Sequence, residues 1–148
     1  MLHFIKGDLF ACRADIRVNP VNCVGTMGKG LALEFKKRYP KMFDYYAKLC
    51  RTGSVYPGKL IYWVDGLTGD MILNFPTKDH WRHDSRYEWI QNGLVELETF
   101  LFDRPDVSIA MPALGCGNGN LEWARVSEMI RKILGSLDND ITVIEPHE

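Results

Sequence analysis

Short runs of apolar residues, separated by turn-forming residues, recur along the chain and predict about six β-strands. The predicted strands span residues 2–6, 16–21, 59–64, 71–76, 107–111 and 141–144. A glycine-bounded turn, residues 66–69, joins the third and fourth runs and predicts a hairpin. Pro20 has no backbone N–H to donate, so we expect it to end the second strand.

Apolar residues spaced three and four positions apart predict the helices. The most regular spacing, from Tyr87 to Leu101, predicts a helix over residues 86–102, and Ser85 and Glu88 form a capping-box pattern at its start. Helices are also predicted over residues 31–38, 41–51 and 123–134, with stops at Pro40, Gly53 and Gly135. Asn120 is the predicted N-cap residue of the last helix.

The order of these elements predicts an α/β fold. Strands interleaved with three or four helices favour a three-layer α/β/α sandwich with a central mixed sheet of about six strands. No repeat, low-complexity segment or linker interrupts the 148 residues. We therefore expect one domain over residues 1–148.

Composition narrows the classes of function and the compartment. Eighteen Lys and Arg residues against 19 Asp and Glu give a net charge of -1, which excludes binding of nucleic acid along an extended cationic track. Neither a membrane span of about 18 consecutive apolar residues nor an export signal is present in the sequence. The four cysteines form no CxxC pair, so neither a zinc ribbon nor a disulfide framework is indicated. A cytoplasmic protein is expected.

Two glycine-rich segments, residues 25–30 and 115–120, each follow a buried strand and open a helix. Glycine lets the backbone approach a ligand, and a helix N-terminus offers free N–H groups to an anion. The first segment matches neither the Walker A pattern nor the dinucleotide pattern, and a flexible turn is the alternative interpretation. Two such loops at one sheet edge predict a diphosphate site, as for a nucleotide sugar.

A third strand ends at a segment rich in reactive side chains, residues 74–83. Lys78 could act as a nucleophile toward a sugar aldehyde if desolvation lowers its pKa, contribute positive charge to a phosphate, or be a solvated lysine beside Asp79. Trp81 and Arg82 could stack on a base or contact phosphate, or form an aromatic lid packed on the long helix. His80 and His83 lack further ligands, so no metal site is predicted.

The motifs Gly7-Asp-Leu9, Val18-Asn-Pro-Val-Asn22, Gly25 to Leu33 and Pro112 to Gly119 resemble those of macrodomains, the ADP-ribose-binding fold. Within that superfamily, the segment Asn74 to Arg82 and Leu121-Glu-Trp123 are most similar to the DarG antitoxin family, whose macrodomains remove ADP-ribose from DNA. The terminal ADP-ribose protein glycohydrolase is the next most similar. That enzyme has an aspartate where this chain has Gly119, which favours the antitoxin-like class.

The resemblance implies specific roles for residues of this chain. Lys78 and Asn22 are the implied catalytic residues, with Lys78 beside C1'' of the distal ribose, Asn22 at that ribose and Asp8 at the adenine amine. The implied substrate-binding residues are Asp8, Leu9, Asn22, Gly28, Lys29, Gly30, Thr77, Trp81, Gly115, Cys116, Gly117, Asn118 and Gly119. His80, Arg82 and Arg86 are the expected nucleic-acid contacts. From the residues alone, Cys23 and Cys116 are interpreted as small packing residues, since neither has a paired histidine in the sequence.

We therefore expect an enzyme that hydrolyses the glycosidic bond between ADP-ribose and a nucleobase in single-stranded DNA, without a metal or other cofactor. The alternatives are a non-catalytic ADP-ribose reader, a protein de-ADP-ribosylase, and a phosphatase or deacetylase acting on ADP-ribose derivatives. A monomer is expected. DarG antitoxins continue beyond the macrodomain whereas this sequence ends at Glu148, so toxin binding is not expected.

Overall fold

A computed structural model describes residues 1–147 and contains six strands, four α-helices and one short 3-10 helix. The strands are β1 (Leu2–Ile5), β2 (Ile16–Val21), β3 (Ile61–Val64), β4 (Met71–Pro76), β5 (Ile109–Met111) and β6 (Ile141–Ile144). The α-helices are α1 (Gly30–Arg38), α2 (Pro40–Arg51), α3 (Tyr87–Phe102) and α4 (Trp123–Leu134). The 3-10 helix spans Leu9–Ala11 and has no predicted counterpart.

The strands form one mixed sheet in the order β1-β6-β5-β2-β4-β3. Strands β1, β6, β5, β2 and β4 are parallel, and β3 pairs antiparallel with β4 as the predicted hairpin. Parallel strands end at the same edge of a sheet. The loops that follow β1, β2, β4 and β5, and the segment that follows β6, therefore leave from one edge.

Alternate residues of each strand supply two separate cores, one on each face of the sheet. On one face, Leu73 and Met111 pack with residues of α3 and α4, such as Leu94 and Ile130. On the other face, Ile72 and Ala110 pack with residues of α1 and α2, such as Phe35 and Met42. Side chains that alternate in direction along a strand produce this division. The predicted three-layer α/β/α sandwich is confirmed.

Pro20 does not end β2, which continues to Val21 in the interior of the sheet. Thr77 N donates to the Val21 carbonyl at 2.9 Å, so the Val21 backbone faces β4 and that of Pro20 faces the other neighbour, β5. Strand β5 pairs with β2 only at Ile16 and Arg17. Pro20 therefore lies beyond the residues of β2 that pair with β5. Its missing N–H removes no hydrogen bond between these two strands.

Two predicted helix caps are wrong. Helix α3 begins at Tyr87 after an extended Arg86 with no side-chain cap, and the Ser85 Oγ is buried without a partner among the described residues. Ser85 is instead held by its backbone, because its N–H donates to the Gly119 carbonyl at 3.0 Å. Asn120 lies outside α4 with a φ of 62°, and its Nδ2 donates to Asp84 Oδ1 at 2.7 Å. Both residues join the second glycine loop to the start of α3.

Candidate functional site

The loops at the carboxyl edge of the parallel strands enclose a cavity of about 1030 Å³. A cavity of this size at the carboxyl ends of parallel strands is typical of a small-molecule or cofactor site. The predicted residues that line it are Asp8, Leu9, Asn22, Gly28, Lys29, Thr77, Lys78, Trp81, Gly115, Cys116, Gly117, Asn118 and Gly119. Gly30, His80, Arg82 and Arg86 do not line it. The structure thus brings both glycine loops and the Lys78 loop together.

Sheet order fixes the sequence of groups across this cavity. Asp8 follows the edge strand β1, the two glycine loops follow the adjacent strands β5 and β2, and Lys78 follows β4. Four strand spacings of about 4.8 Å separate β1 from β4. An elongated ligand that crosses the sheet edge therefore meets Asp8 at one end, the glycine loops in the middle and Lys78 at the other end.

The first glycine loop is organised by Asn22. The Asn22 Nδ2 donates to the Thr26 carbonyl at 3.0 Å and to Thr26 Oγ1 at 2.8 Å, while Oδ1 accepts from Val24 N and from the Tyr46 hydroxyl. Two donors and two acceptor sites are the full capacity of an amide side chain. Asn22 therefore holds the loop in shape in this state, and a contact with a sugar would replace one of these bonds.

The second glycine loop is tightly closed at one position and open at another. A Cβ at residue 119 would overlap the Gly115 carbonyl oxygen and Ser85 Oγ, so the backbone leaves no room there for a side chain. A Cβ at Gly117 would have no heavy atom within 4 Å. Gly115 has a φ of 73°, and its carbonyl accepts from Leu121 N at 2.9 Å. A carboxylate at position 119 is therefore incompatible with this loop.

Lys78 is 9% exposed, and its Nζ lies 3.4 Å from the Trp81 carbonyl oxygen. Burial lowers the pKa of the Lys78 amine below its ordinary value, and the positive charge of Lys29 lowers it further, whereas the carboxylate of Asp84 acts in the opposite direction. A buried lysine with a lowered pKa is neutral more often than a solvated one. The solvated-lysine interpretation of Lys78 is therefore not supported.

The Lys78 loop is fixed to the first glycine loop by Cys23. The Cys23 N–H donates to the Asp79 carbonyl at 3.3 Å, and its Sγ lies 3.2 Å from the Lys78 carbonyl. Burial raises the pKa of Cys23 to about 12 and that of Cys116 to about 11, so both remain thiols near neutral pH. This supports their interpretation as packing residues.

The segment after Lys78 is exposed and internally hydrogen-bonded. Asp79 Oδ1 accepts from His80 N at 2.7 Å and lies 3.0 Å from His83 Nδ1. Partial burial raises the pKa of Asp79, but these two contacts outweigh it and the pKa is lowered. Within residues 1–147, no group of three or more His, Cys, Asp or Glu side chains is placed to hold a metal ion.

Sequence reasoning missed the C-terminal side of the cavity. Ile144, Glu145, Pro146 and His147 line it beside Gly7 and Asp8. Glu145 N donates to the Ile5 carbonyl at 2.8 Å, which extends the pairing of β6 with β1 to this edge. The apolar run at residues 141–144 could have predicted this side of the cavity. If that run forms a parallel strand, the residues after it must lie at the same sheet edge as the glycine loops.

Comparison with known proteins gives close relatives. The chain is 41% identical over 151 residues to the "DNA ADP-ribosyl glycohydrolase" of Thermus aquaticus, and the match covers all of this chain but only 42% of that protein. The macrodomain of Mycobacterium tuberculosis DarG superposes with a TM-score of 0.92 at 41% identity, covering 100% of this chain and 99% of that one. Thermosipho africanus DarTG in complex with ADP-ribose superposes with a TM-score of 0.91 at 30% identity, covering 98% and 41% of the two chains.

A family model described as "Macro domain" matches residues 18–130, which include both glycine loops and the Lys78 loop. On this evidence the chain belongs to the Macro domain family.

Proposed function

We propose that this chain binds ADP-ribose attached to a nucleobase of single-stranded DNA and hydrolyses the glycosidic bond between them. The observation that carries the proposal is the buried Lys78 amine at one end of a cavity whose middle is built from two glycine loops. The names of the full-length relatives, DNA ADP-ribosyl glycohydrolase, and the ADP-ribose bound to the Thermosipho protein support it.

ADP-ribose lies across the sheet edge in this proposal. Its adenine is at Asp8, its pyrophosphate between Gly28 and residues 115–119, and its distal ribose between Asn22 and Lys78. Backbone N–H groups of glycine loops suit a pyrophosphate, because they bring donors close without side-chain bulk. The remaining proposed binding residues that line the cavity are Leu9, Lys29, Thr77 and Trp81, whereas Gly30, the first residue of α1, lies outside this lining.

Lys78 has two chemical roles open to it at C1''. As a neutral amine it forms an Nζ–C1'' bond while the bond from C1'' to the base breaks, and the electron pair leaves with the base, which takes a proton from water. Water then displaces the amine and yields ADP-ribose. As a cation it instead stabilises the charge on the departing base, and water attacks C1'' directly.

Position 119 favours DNA over protein as the acceptor class. The terminal ADP-ribose protein glycohydrolase has an aspartate at the matching position, and the second glycine loop of this chain has no room for a side chain there.

A non-catalytic reader, a phosphatase and a deacetylase would each leave the base-to-sugar bond intact. Incubation of an ADP-ribosylated single-stranded oligonucleotide with the protein separates these functions. We expect free ADP-ribose and unmodified DNA; unchanged substrate, or release of phosphate or acetate from ADP-ribose derivatives alone, would reject the proposal.

We further propose that residues 1–148 act as one domain and as a monomer in the cytoplasm, where the reaction reverses DNA modification in the manner of an antitoxin. Both cores share one sheet, which supports a single folding unit. Within residues 1–147, no helix combines the length and the apolar character needed to cross a membrane. Light scattering of the purified chain tests the monomer.

The Lys29→Gln variant tests the neutral-amine role through the pH dependence of kcat. The Lys29 charge lowers the pKa of Lys78, so its removal should raise that pKa. Because the neutral fraction of an amine grows as pH rises through its pKa, the rise of kcat with pH should move to higher pH in the variant. Lys37→Gln, an exposed change in α1 outside the cavity, is the control. A profile that stays in place or moves to lower pH argues against attack by a neutral Lys78.

A further inference from the structure

Trp81 is a large aromatic side chain that lines the cavity and yet is 45% exposed. Its carbonyl oxygen is within 3.4 Å of Lys78 Nζ, so its backbone is fixed beside the proposed reaction centre. The predicted alternative, an aromatic lid packed on the long helix, does not account for a tryptophan that stays this exposed. A binding role explains this exposure better than a packing role does.

Two neighbours of Trp81 lie against its indole ring. The His80 ring stacks on the indole with centroids 5.4 Å apart and an interplanar angle of 30°. The Arg82 guanidinium lies 4.6 Å from the centroid of the indole ring. We call His80, Trp81 and Arg82 the Trp81 platform.

Hydrogen bonds within the loop hold the platform in shape. Arg82 N donates to His80 Nδ1 at 3.1 Å, and His83 N donates to the His80 carbonyl at 3.0 Å. Asp79 Oδ1 accepts from His80 N and pairs with His83, as described above. A surface already fixed before a ligand arrives loses less conformational entropy on binding.

The charge beside the platform suits a phosphate backbone. Arg82 has no salt-bridge partner in the described part of the chain. Arg86, which is also exposed, lies 3.7 Å from Glu88. The nearby acids are engaged locally, since Asp79 pairs with His83 and Asp84 accepts from Asn120 Nδ2. The Arg82 guanidinium rests on the indole and has no acidic partner among residues 1–147, so its N–H groups can donate to an anion beside the aromatic ring.

We infer that the Trp81 platform stacks on an unpaired base next to the ADP-ribosylated nucleotide, while Arg82 contacts the phosphate between them. The inference rests on the proposed function, which places the modified base beyond C1'' and hence next to Lys78 and Trp81. Only an unpaired base exposes its face for such stacking, so the platform selects single-stranded over double-stranded DNA. An aromatic side chain of a modified protein could use the indole but would supply no phosphate for Arg82.

Three substrates test the platform: an ADP-ribosylated oligonucleotide, the same oligonucleotide with abasic sites flanking the modified nucleotide, and the ADP-ribosylated mononucleoside. We expect the wild-type protein to show a kcat/KM about tenfold higher on the first than on the second and third. In Trp81→Ala the preference over the abasic oligonucleotide should nearly vanish, because the variant cannot use the flanking base, and in Trp81→Phe most of it should remain. The mononucleoside also lacks the phosphate that Arg82 contacts, so part of the preference over it should persist in Trp81→Ala. If the losses of kcat/KM caused by Trp81→Ala and by the abasic sites are not additive, the Trp81 side chain contacts the flanking base directly.

Equal wild-type kcat/KM on all three substrates would overturn the platform and leave the proposed function standing. The same holds if Trp81→Ala keeps the full preference for the flanking base, or if an ADP-ribosylated peptide is cleaved better than the oligonucleotide in a manner that depends on Trp81. Failure of the wild-type protein to release ADP-ribose from any of the DNA substrates would reject the proposed function and the platform together.

Discussion

Lys78→Ala is expected to lower the release of ADP-ribose from modified DNA by about 100-fold or more, the scale of a lost nucleophile or charge-stabilising group. Its affinity for free ADP-ribose should change little, because the proposed pyrophosphate contacts come from the glycine loops. The measurements are single-turnover release from an ADP-ribosylated oligonucleotide and calorimetric titration with ADP-ribose. Lys48→Ala, an exposed change in α2 outside the cavity, is the matched control.

Lys78→Arg distinguishes the two roles of the amine. Arginine stays protonated and cannot attack C1'', but it still carries a positive charge. Inactivity of both variants supports attack by the amine, whereas substantial activity of Lys78→Arg supports the cation. Unchanged release by Lys78→Ala, in a protein that still binds ADP-ribose, would remove Lys78 from the chemistry altogether.

Gly117→Ala is expected to weaken ADP-ribose binding at least tenfold without unfolding the protein. The added methyl group meets no heavy atom within 4 Å, and the φ of Gly117 is not in the left-handed region, so the free energy of unfolding should change by less than about 0.5 kcal/mol. A ligand that lies against this backbone must then move away from it, which lengthens the hydrogen bonds to its pyrophosphate. Calorimetry gives the affinity, and urea denaturation gives the stability.

Gly66→Ala provides the control for this comparison. Gly66 is also open to an added Cβ, but it lies in the turn between β3 and β4, away from the cavity. Both variants should be about as stable as the wild-type protein, and only Gly117→Ala should lose affinity. If Gly117→Ala binds ADP-ribose as tightly as Gly66→Ala does, the pyrophosphate does not contact the second glycine loop at this position.

Periodicity predicted the helices because each helix buries one regular set of positions. Short apolar runs predicted the strands, because the inner strands of a parallel sheet are buried on both faces. Leu94, Leu97 and Leu101 recur at helical spacing and are all fully buried on α3. What periodicity cannot show is contact between segments far apart in sequence. The Ser85 and Asn120 caps failed for this reason, since both residues bond across to partners more than 30 positions away, at Gly119 and Asp84.

The site was predictable where it depends on strand ends and not where it depends on loop packing. Glycine-rich segments after buried strands were sufficient to place residues 28 and 115–119 at one cavity. The sequence could not show that Tyr46, on α2, donates to Asn22, or that Cys23 fixes the Lys78 loop. Those contacts depend on how α2 and the loops pack after the sheet has formed.

The most direct test of this account is a crystal structure of the protein with ADP-ribose bound. We predict the pyrophosphate between Gly28 and residues 115–119, the adenine at Asp8, and C1'' of the distal ribose within about 4 Å of Lys78 Nζ, a separation close to that of a near-attack geometry. A pyrophosphate outside the two glycine loops, or a distal ribose at the Asp8 end of the cavity, would contradict it.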